Sequence, residues 1–369
     1  MCKIENLGKM PDPFKKKDGT RMSREEWLDN RDALRKYIVD FEFGGMPPSP
    51  EVVNYELITE TYDLCGNEGA WYRIIAGSKQ RQLSFLLNVV VPSKPDMEKG
   101  HPVLLTGDGC YSSLELETVV EAKRRGYVVA RFNRLELAND VSGLRKGGLY
   151  DVYPDNQEFT AISAWAWGYM VVVDVLEKLR FADATEVGIT GHSRGGKTVL
   201  LAATVDERIQ YVCPNNSGLH GAVSYRTIVS EQGESKRRTE RLSDMCTNVP
   251  HWMGPKLFSY IGREEELPYD MHYFGALIAP RYYLQCEGMQ DYWINPIGSW
   301  QNFMAVKECY RYLGCKEHAA AWFRPGGHRH RLPDFTEFMN FMDRARAGLP
   351  VSEHLCVNPY SEIERNFEW

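Results

Sequence analysis

Two rhythms of apolar positions run through this chain and alternate along it. After a polar start, Ser23-Arg24-Glu25-Glu26-Trp27 opens a helix, with Ser23 as N-cap and Glu26 completing a capping box. That helix is predicted to run to about Phe41 and to stop in the breaker cluster Gly44-Gly45-Met46-Pro47-Pro48. From about residue 54 the pattern turns to β. Trp71 to Ile75 and Ser84 to Val91 are rich in β-formers and bounded by Gly, Ser and Pro, which predicts an antiparallel start to a sheet. Short apolar strands then alternate with helices. Strands are expected at Val103–Leu105, Tyr127–Ala130, Glu186–Thr190, Tyr211–Cys213, Arg281–Cys286 and Ala319–Phe323. Helices are expected at Leu114–Arg125, Glu158–Leu179 and Gly196–Thr204.

Alternation of this kind implies an α/β protein: a mostly parallel central sheet with helices on both faces, a three-layer αβα sandwich. Residues 215 to 275 break the rhythm, with few strand signals and many polar and aromatic positions. They are expected to form an insertion over the active-site end of the sheet. The organisation read from the chain is an N-terminal helical extension over 1–50, a main domain over 51–350 that carries this insertion, and a C-terminal tail over 351–369.

Composition removes several classes of function. With 369 residues, 43% hydrophobic and 25% charged, the chain can bury a large core. A net charge of -6 gives no basic footprint for nucleic acid. Lys236-Arg237-Arg238-Thr239-Glu240-Arg241 reads as a solvated helix face. Nine cysteines lie apart, without a Cys-x-x-Cys pair or zinc-site spacing, so no metal or other cofactor is expected and the thiols read as reduced. The longest apolar run, Ala161 to Val173, is too short to span a bilayer. The first residues lack the apolar core of a signal peptide, which predicts a cytoplasmic protein. Nothing in the sequence fixes the oligomeric state.

Chemistry enters at Gly191-His192-Ser193-Arg194-Gly195. A β-rich segment precedes this Gly-x-Ser-x-Gly and an Ala/Leu-rich helix follows, the context of a nucleophile elbow in the α/β-hydrolase fold. The bland alternative is a Gly-rich turn. An elbow lifts Ser193 to a helix N-terminus, where backbone N–H groups can stabilise an oxyanion, and the Arg194 N–H is the first candidate donor. The second donor is expected within Gly107 to Cys110. The serine needs a base and an orienting acid, in the order Ser, acid, His. Asp291 lies in the loop after the strand ending at Cys286, with Glu287 as its rival. His328 follows Arg324-Pro325-Gly326-Gly327, with His330 as its rival. The predicted triad is Ser193, Asp291 and His328.

From Thr190 to Lys197 the sequence resembles the glucuronoyl esterases of carbohydrate esterase family fifteen. Their elbow reads Gly-Cys-Ser-Arg-x-Gly-Lys, and His192 stands here where they carry Cys. Pro214-Asn215-Asn216-Ser217-Gly218, Phe274 to Arg281, Asp291 to Pro296 and Pro325-Gly326-Gly327-His328 extend the likeness. Ala164-Trp165-Ala166-Trp167-Gly168 and Pro250-His251-Trp252 look closer to bacterial glucuronoyl-methylesterase-like proteins, often labelled acetyl xylan esterases. The resemblance implies that Arg194 helps stabilise the oxyanion, that Lys197 contacts sugar hydroxyls, and that Trp293 stacks on or hydrogen-bonds to a sugar. The chain departs from the family at Asn216, where many members carry a catalytic Glu. An amide cannot be an anionic orienter, so the role passes to Asp291.

The reading that follows is a serine carboxylic-ester hydrolase acting on a glucuronoyl methyl-type ester or an O-acetyl sugar. A dienelactone-type or peptidase-like hydrolase would not need Lys197. A non-catalytic binding relative would have no use for Ser193, Asp291 and His328 together.

Overall fold

Ser23 caps the first long helix, α1 (Arg24–Phe43), from both sides. Its hydroxyl accepts from the Glu26 N–H at 3.2 Å, and Glu26 accepts from the Ser23 N–H at 2.7 Å. At the other end Gly44 takes the left-handed conformation (φ 67°), which a glycine reaches without Cβ strain. The computed structural model describes residues 2–62, 68–111, 114–156, 158–231 and 238–369.

The strands follow in chain order: β1 (Cys2–Asn6), β2 (Val52–Tyr62), β3 (Glu68–Gly77), β4 (Gln82–Val90), β5 (His101–Thr106), β6 (Val128–Phe132), β7 (Ala182–His192), β8 (Ile209–Asn215), β9 (Thr227–Glu231), β10 (Tyr282–Gly288) and β11 (Ala319–Arg324). Nine of them form one sheet in the order β11-β10-β8-β7-β5-β6-β4-β3-β2. The six from β5 rightward in sequence (β5 to β8, β10 and β11) run parallel, while β2, β3 and β4 form an antiparallel meander attached to β6. The parallel strands are nearly continuous apolar runs because helices cover both of their faces.

The further helices are α2 (Leu116–Arg124), α3 (Leu149–Val152), α4 (Ala161–Leu176), α5 (Arg194–Val205), α6 (Leu242–Asn248), α7 (His272–Ile278), α8 (Pro296–Tyr312) and α9 (Leu332–Arg346). Val119 and Ala122 of α2 and Phe335, Phe338 and Met342 of α9 pack on one face of the sheet. Helices α4, α5, α7 and α8 bury their apolar residues in the larger core on the other. In α4 every residue but Met170 and Asp174 is buried, the mark of a central core helix. Among the described residues no helix is long and apolar enough to cross a membrane.

Several elements escaped the sequence pattern. β1 and β9 pair antiparallel as a separate two-stranded sheet, so residues 215–275 contain a strand that has too few residues to show a period. Helix α8 starts at Pro296 with Asn295 as its side-chain cap, and α9 also carries Pro in its first turn. Lys236 and Arg237 lie outside the described residues. Arg238 to Arg241 are not the solvated helix face expected of them: they lead into α6, Arg238 pairs with Asp244, and Glu240 is half-buried. The last residues pack against the first, with the Asn366 side chain donating to Gly8 O and the Trp369 indole to Met10 O.

The cap on α1 has a measurable weight. Ser23→Ala should lower stability by about 1 kcal/mol, seen as a small drop in melting temperature with activity unchanged. An unchanged melting temperature would mean that tertiary packing alone sets the start of α1.

Candidate active site

The C-terminal ends of β5, β7, β8, β10 and β11 meet at one edge of the sheet, the usual location of a site in an open parallel sheet. Ser193 sits there between β7 and α5 with φ 56° and ψ −118°, a strained conformation for a residue with a Cβ. Three contacts hold the turn. The Ser193 N–H donates to Asn215 O at 2.9 Å, and the His192 N–H donates to Asp108 Oδ2 at 2.7 Å. Asp108, in turn, is buried in an ion pair with the fully buried Arg134. The neighbouring glycines are needed for space, since a methyl at Gly195 would overlap the Asp108 carboxylate and one at Gly191 would overlap the Gly195 backbone. Arg194 begins α5, so its N–H has no partner within the helix.

Asp291 and His328 come together from the loops after β10 and β11. His328 Nδ1–H donates to Asp291 Oδ2 at 2.5 Å, which leaves Nε2 as the basic nitrogen. The imidazole of His328 lies 4.2 Å, centre to centre, from that of His192, the residue before Ser193. Asn216 Nδ2–H donates to the same Asp291 oxygen at 2.7 Å. Asn216 therefore contributes to the pair as a donor to the acid. His192 itself stays neutral: burial, followed by the charges of His330 and His328, pulls it down to about 3.

The two rivals occupy different surroundings. His330 is buried, stacks on Phe335, and is pulled down to about 3 by burial. Glu287 is fully buried under the site and accepts from the Ser299 hydroxyl at 2.7 Å. Burial pushes its carboxyl up to about 8, opposed by the Ser299 hydrogen bond and reinforced by the Asp291 charge. Near neutral pH it therefore keeps its proton.

Arg194 and Lys197 leave the elbow on α5. The Arg194 guanidinium pairs with Asp140 and lies 4.9 Å from the Trp252 ring centre. Asp140 also accepts from His251 Nε2 at 2.9 Å and from the Trp252 indole N–H at 2.8 Å. Burial alone would raise this carboxylate, but His251, Arg194 and Trp252 together hold it down at about 2. Lys197 is buried, only 3% exposed. Its ammonium donates to Ser217 O at 2.6 Å and to Leu219 O, leaving one N–H for a ligand. Burial pulls it down to about 8, while the negative charge of the nearby Glu240 supports the protonated form. Trp293 is the opposite case. It is 46% exposed on the turn after Asp291, and its carbonyl accepts from the Glu240 N–H at 2.9 Å. Asp140, Asp108 and Glu240 carried no motif that marked them in advance. No cluster of His, Cys, Asp and Glu among the described residues could hold a metal ion.

The chain is similar to known esterases in sequence and in fold. Residues 74–314 match the family profile described as "Glucuronyl esterase, fungi". A 4-O-methyl-glucuronoyl methylesterase of Cerrena unicolor is 27% identical over 331 residues, covering 88% of this chain and 66% of that protein. Its namesake from Phanerochaete carnosa is 28% identical over 330 residues, covering 88% and 77%. The chain thus spans about two thirds to three quarters of these curated relatives. Among solved structures, a carbohydrate esterase family 15 glucuronoyl esterase from Caldicellulosiruptor kristjansonii superposes with a TM-score of 0.79 at 26% identity, over 98% of this chain and 97% of that one.

The neutral state of Glu287 makes stability depend on pH. A carboxyl raised in the folded state keeps a proton that the unfolded chain releases, so its contribution is complete below about 4.5 and lost as pH rises towards 8. Glu287→Gln keeps a polar partner for Ser299 and removes the titration. The melting temperature of the variant relative to the native chain should climb between pH 4.5 and about 8, then level off. A difference that stays flat across that range would show that Glu287 is ionised in the folded protein.

Proposed function

The chain belongs to the family described as "Glucuronyl esterase, fungi", and on that premise we propose that it is a serine carboxylic-ester hydrolase of carbohydrate esters, using Ser193, His328 and Asp291. The observation that carries the proposal is the 2.5 Å bond from His328 to Asp291 beside the strained Ser193 turn.

In this reading His328 Nε2 takes the Ser193 hydroxyl proton as Oγ attacks the ester carbonyl. Asp291 fixes the tautomer and stabilises the imidazolium, and Asn216 keeps the acid aimed by its own N–H. His192 stays uncharged beside it and so does not oppose the proton transfer. The oxyanion is met by the Arg194 N–H, with the guanidinium supplying positive potential at the same end of α5. Collapse expels the alcohol, protonated by His328, and water then hydrolyses the acyl-enzyme with His328 as base.

The substrate class follows from what flanks the triad. Lys197 offers one remaining N–H and a positive charge from a dry site, where both are felt more strongly than in water. Trp293 presents an open aromatic face next to the acid loop. Together they suit a sugar acyl group bearing hydroxyls, and a glucuronoyl ester is the specific substrate we favour. The cited relatives bear the name of that activity.

Ser193→Ala should abolish hydrolysis of p-nitrophenyl acetate, and Asp291→Asn should lower kcat about a thousandfold or more. Unchanged turnover in either would sink the assignment of roles. Side-by-side assays on methyl glucuronate and acetylated xylo-oligosaccharides separate the substrates. Lys197→Met should weaken the first far more than the second, and equal losses would argue against a uronate in the acyl position.

A further inference from the structure

Glu42 lies in the last turn of α1, wholly buried and with no part in the Ser193 chemistry. Three donors converge on its carboxylate: His220 Nδ1 at 2.5 Å, the Tyr225 hydroxyl at 2.6 Å and the Tyr269 hydroxyl. His220 is buried as completely, and its backbone is held in the left-handed region at φ 63°. Its second nitrogen, Nε2, faces the carbonyl oxygen of Trp252 at 3.0 Å. A carbonyl can only accept, so Nε2 carries a hydrogen and donates it to Trp252 O.

The hydrogen bonds continue from there. Trp252 donates its indole N–H to Asp140 at 2.8 Å, and Asp140 pairs with the Arg194 guanidinium. A second branch leaves from the residue before His220, since Leu219 O receives the Lys197 ammonium. A staple that only joined α1 to the core would need the two tyrosines and no more. Instead, His220 uses its second nitrogen on Trp252, which both underlies the guanidinium and holds its counter-ion.

We propose that Glu42 is a positioning residue for Arg194: through His220 it fixes Trp252, and Trp252 with His251 fixes Asp140, the carboxylate that aims the guanidinium. The inference rests on Arg194 serving the oxyanion. It assigns the N-terminal helix a part in setting the transition-state field, since loss of an aim felt only there lowers kcat more than it changes KM.

The test is a double-mutant cycle read in kcat and KM on methyl glucuronate, with melting temperatures alongside. Glu42→Gln should lower kcat about tenfold, the size expected when the support behind a site residue is removed. In an Arg194→Lys background, the same substitution should cost less than about twofold, because the group it aims is gone. Equal factors in both backgrounds would overturn the proposal and leave Glu42 as a staple for α1. If Glu42→Gln gives no cooperative melt, Glu42→Asp, which keeps the charge and withdraws it by one methylene, is carried through the same cycle with the same criterion. An Arg194→Lys enzyme with native kcat would instead fail the oxyanion reading itself and, with it, this inference.

Discussion

The turn at Ser193 is strained, and a buried carboxylate keeps it so. Asp108 accepts the His192 N–H, pairs with Arg134, and fits against Gly195 where no side chain could stand. A buried ion pair of this kind adds little stability of its own, since desolvation offsets most of the attraction. Its value lies in cost asymmetry. Losing one member leaves the other charged and dry, so the pair holds the backbone in a conformation that propensity opposes. Ser193 and the free N–H groups of α5 inherit their placement from it.

The rest of the site is a managed set of charges in a dry volume. Arg324 ties the loops together, donating to Asp334 at 2.5 Å, to Arg329 O at 2.5 Å and to Asn216 Oδ1 at 3.3 Å. Asn216 then passes a hydrogen bond to Asp291, which orients His328. Burial keeps Glu287 neutral under Asp291, so it adds no second charge there. Asp140 stays anionic because three donors surround it.

Much of this was legible in the chain because it is periodic or local. The capping box at Ser23, the apolar strands and the Gly-x-Ser-x-Gly turn depend on residues within a few positions of one another. Strand order then placed Asp291 and His328 in loops at one end of the sheet. What stayed hidden was long-range and polar. Glu42 and His220 are 178 residues apart, and a lone buried Glu carries no period or motif. Asp140 reaches Arg194 and His251 across 54 and 111 residues. The burial of Lys197 was equally hidden, because the carbonyls that receive it arrive from the loop after β8. The charged run before α6 misled for the same reason: Glu240 is drawn half inside towards Lys197, which no count of charges along the chain reveals.

In the proposed mechanism Ser193 Oγ is the atom that forms the covalent intermediate. Treating the native protein with a fluorophosphonate and mapping the modified peptide tests this directly. One equivalent of phosphonyl group on Ser193, with hydrolysis lost in step, is the predicted result. A label on another residue, or a full label on Ser193 with hydrolysis intact, would contradict it.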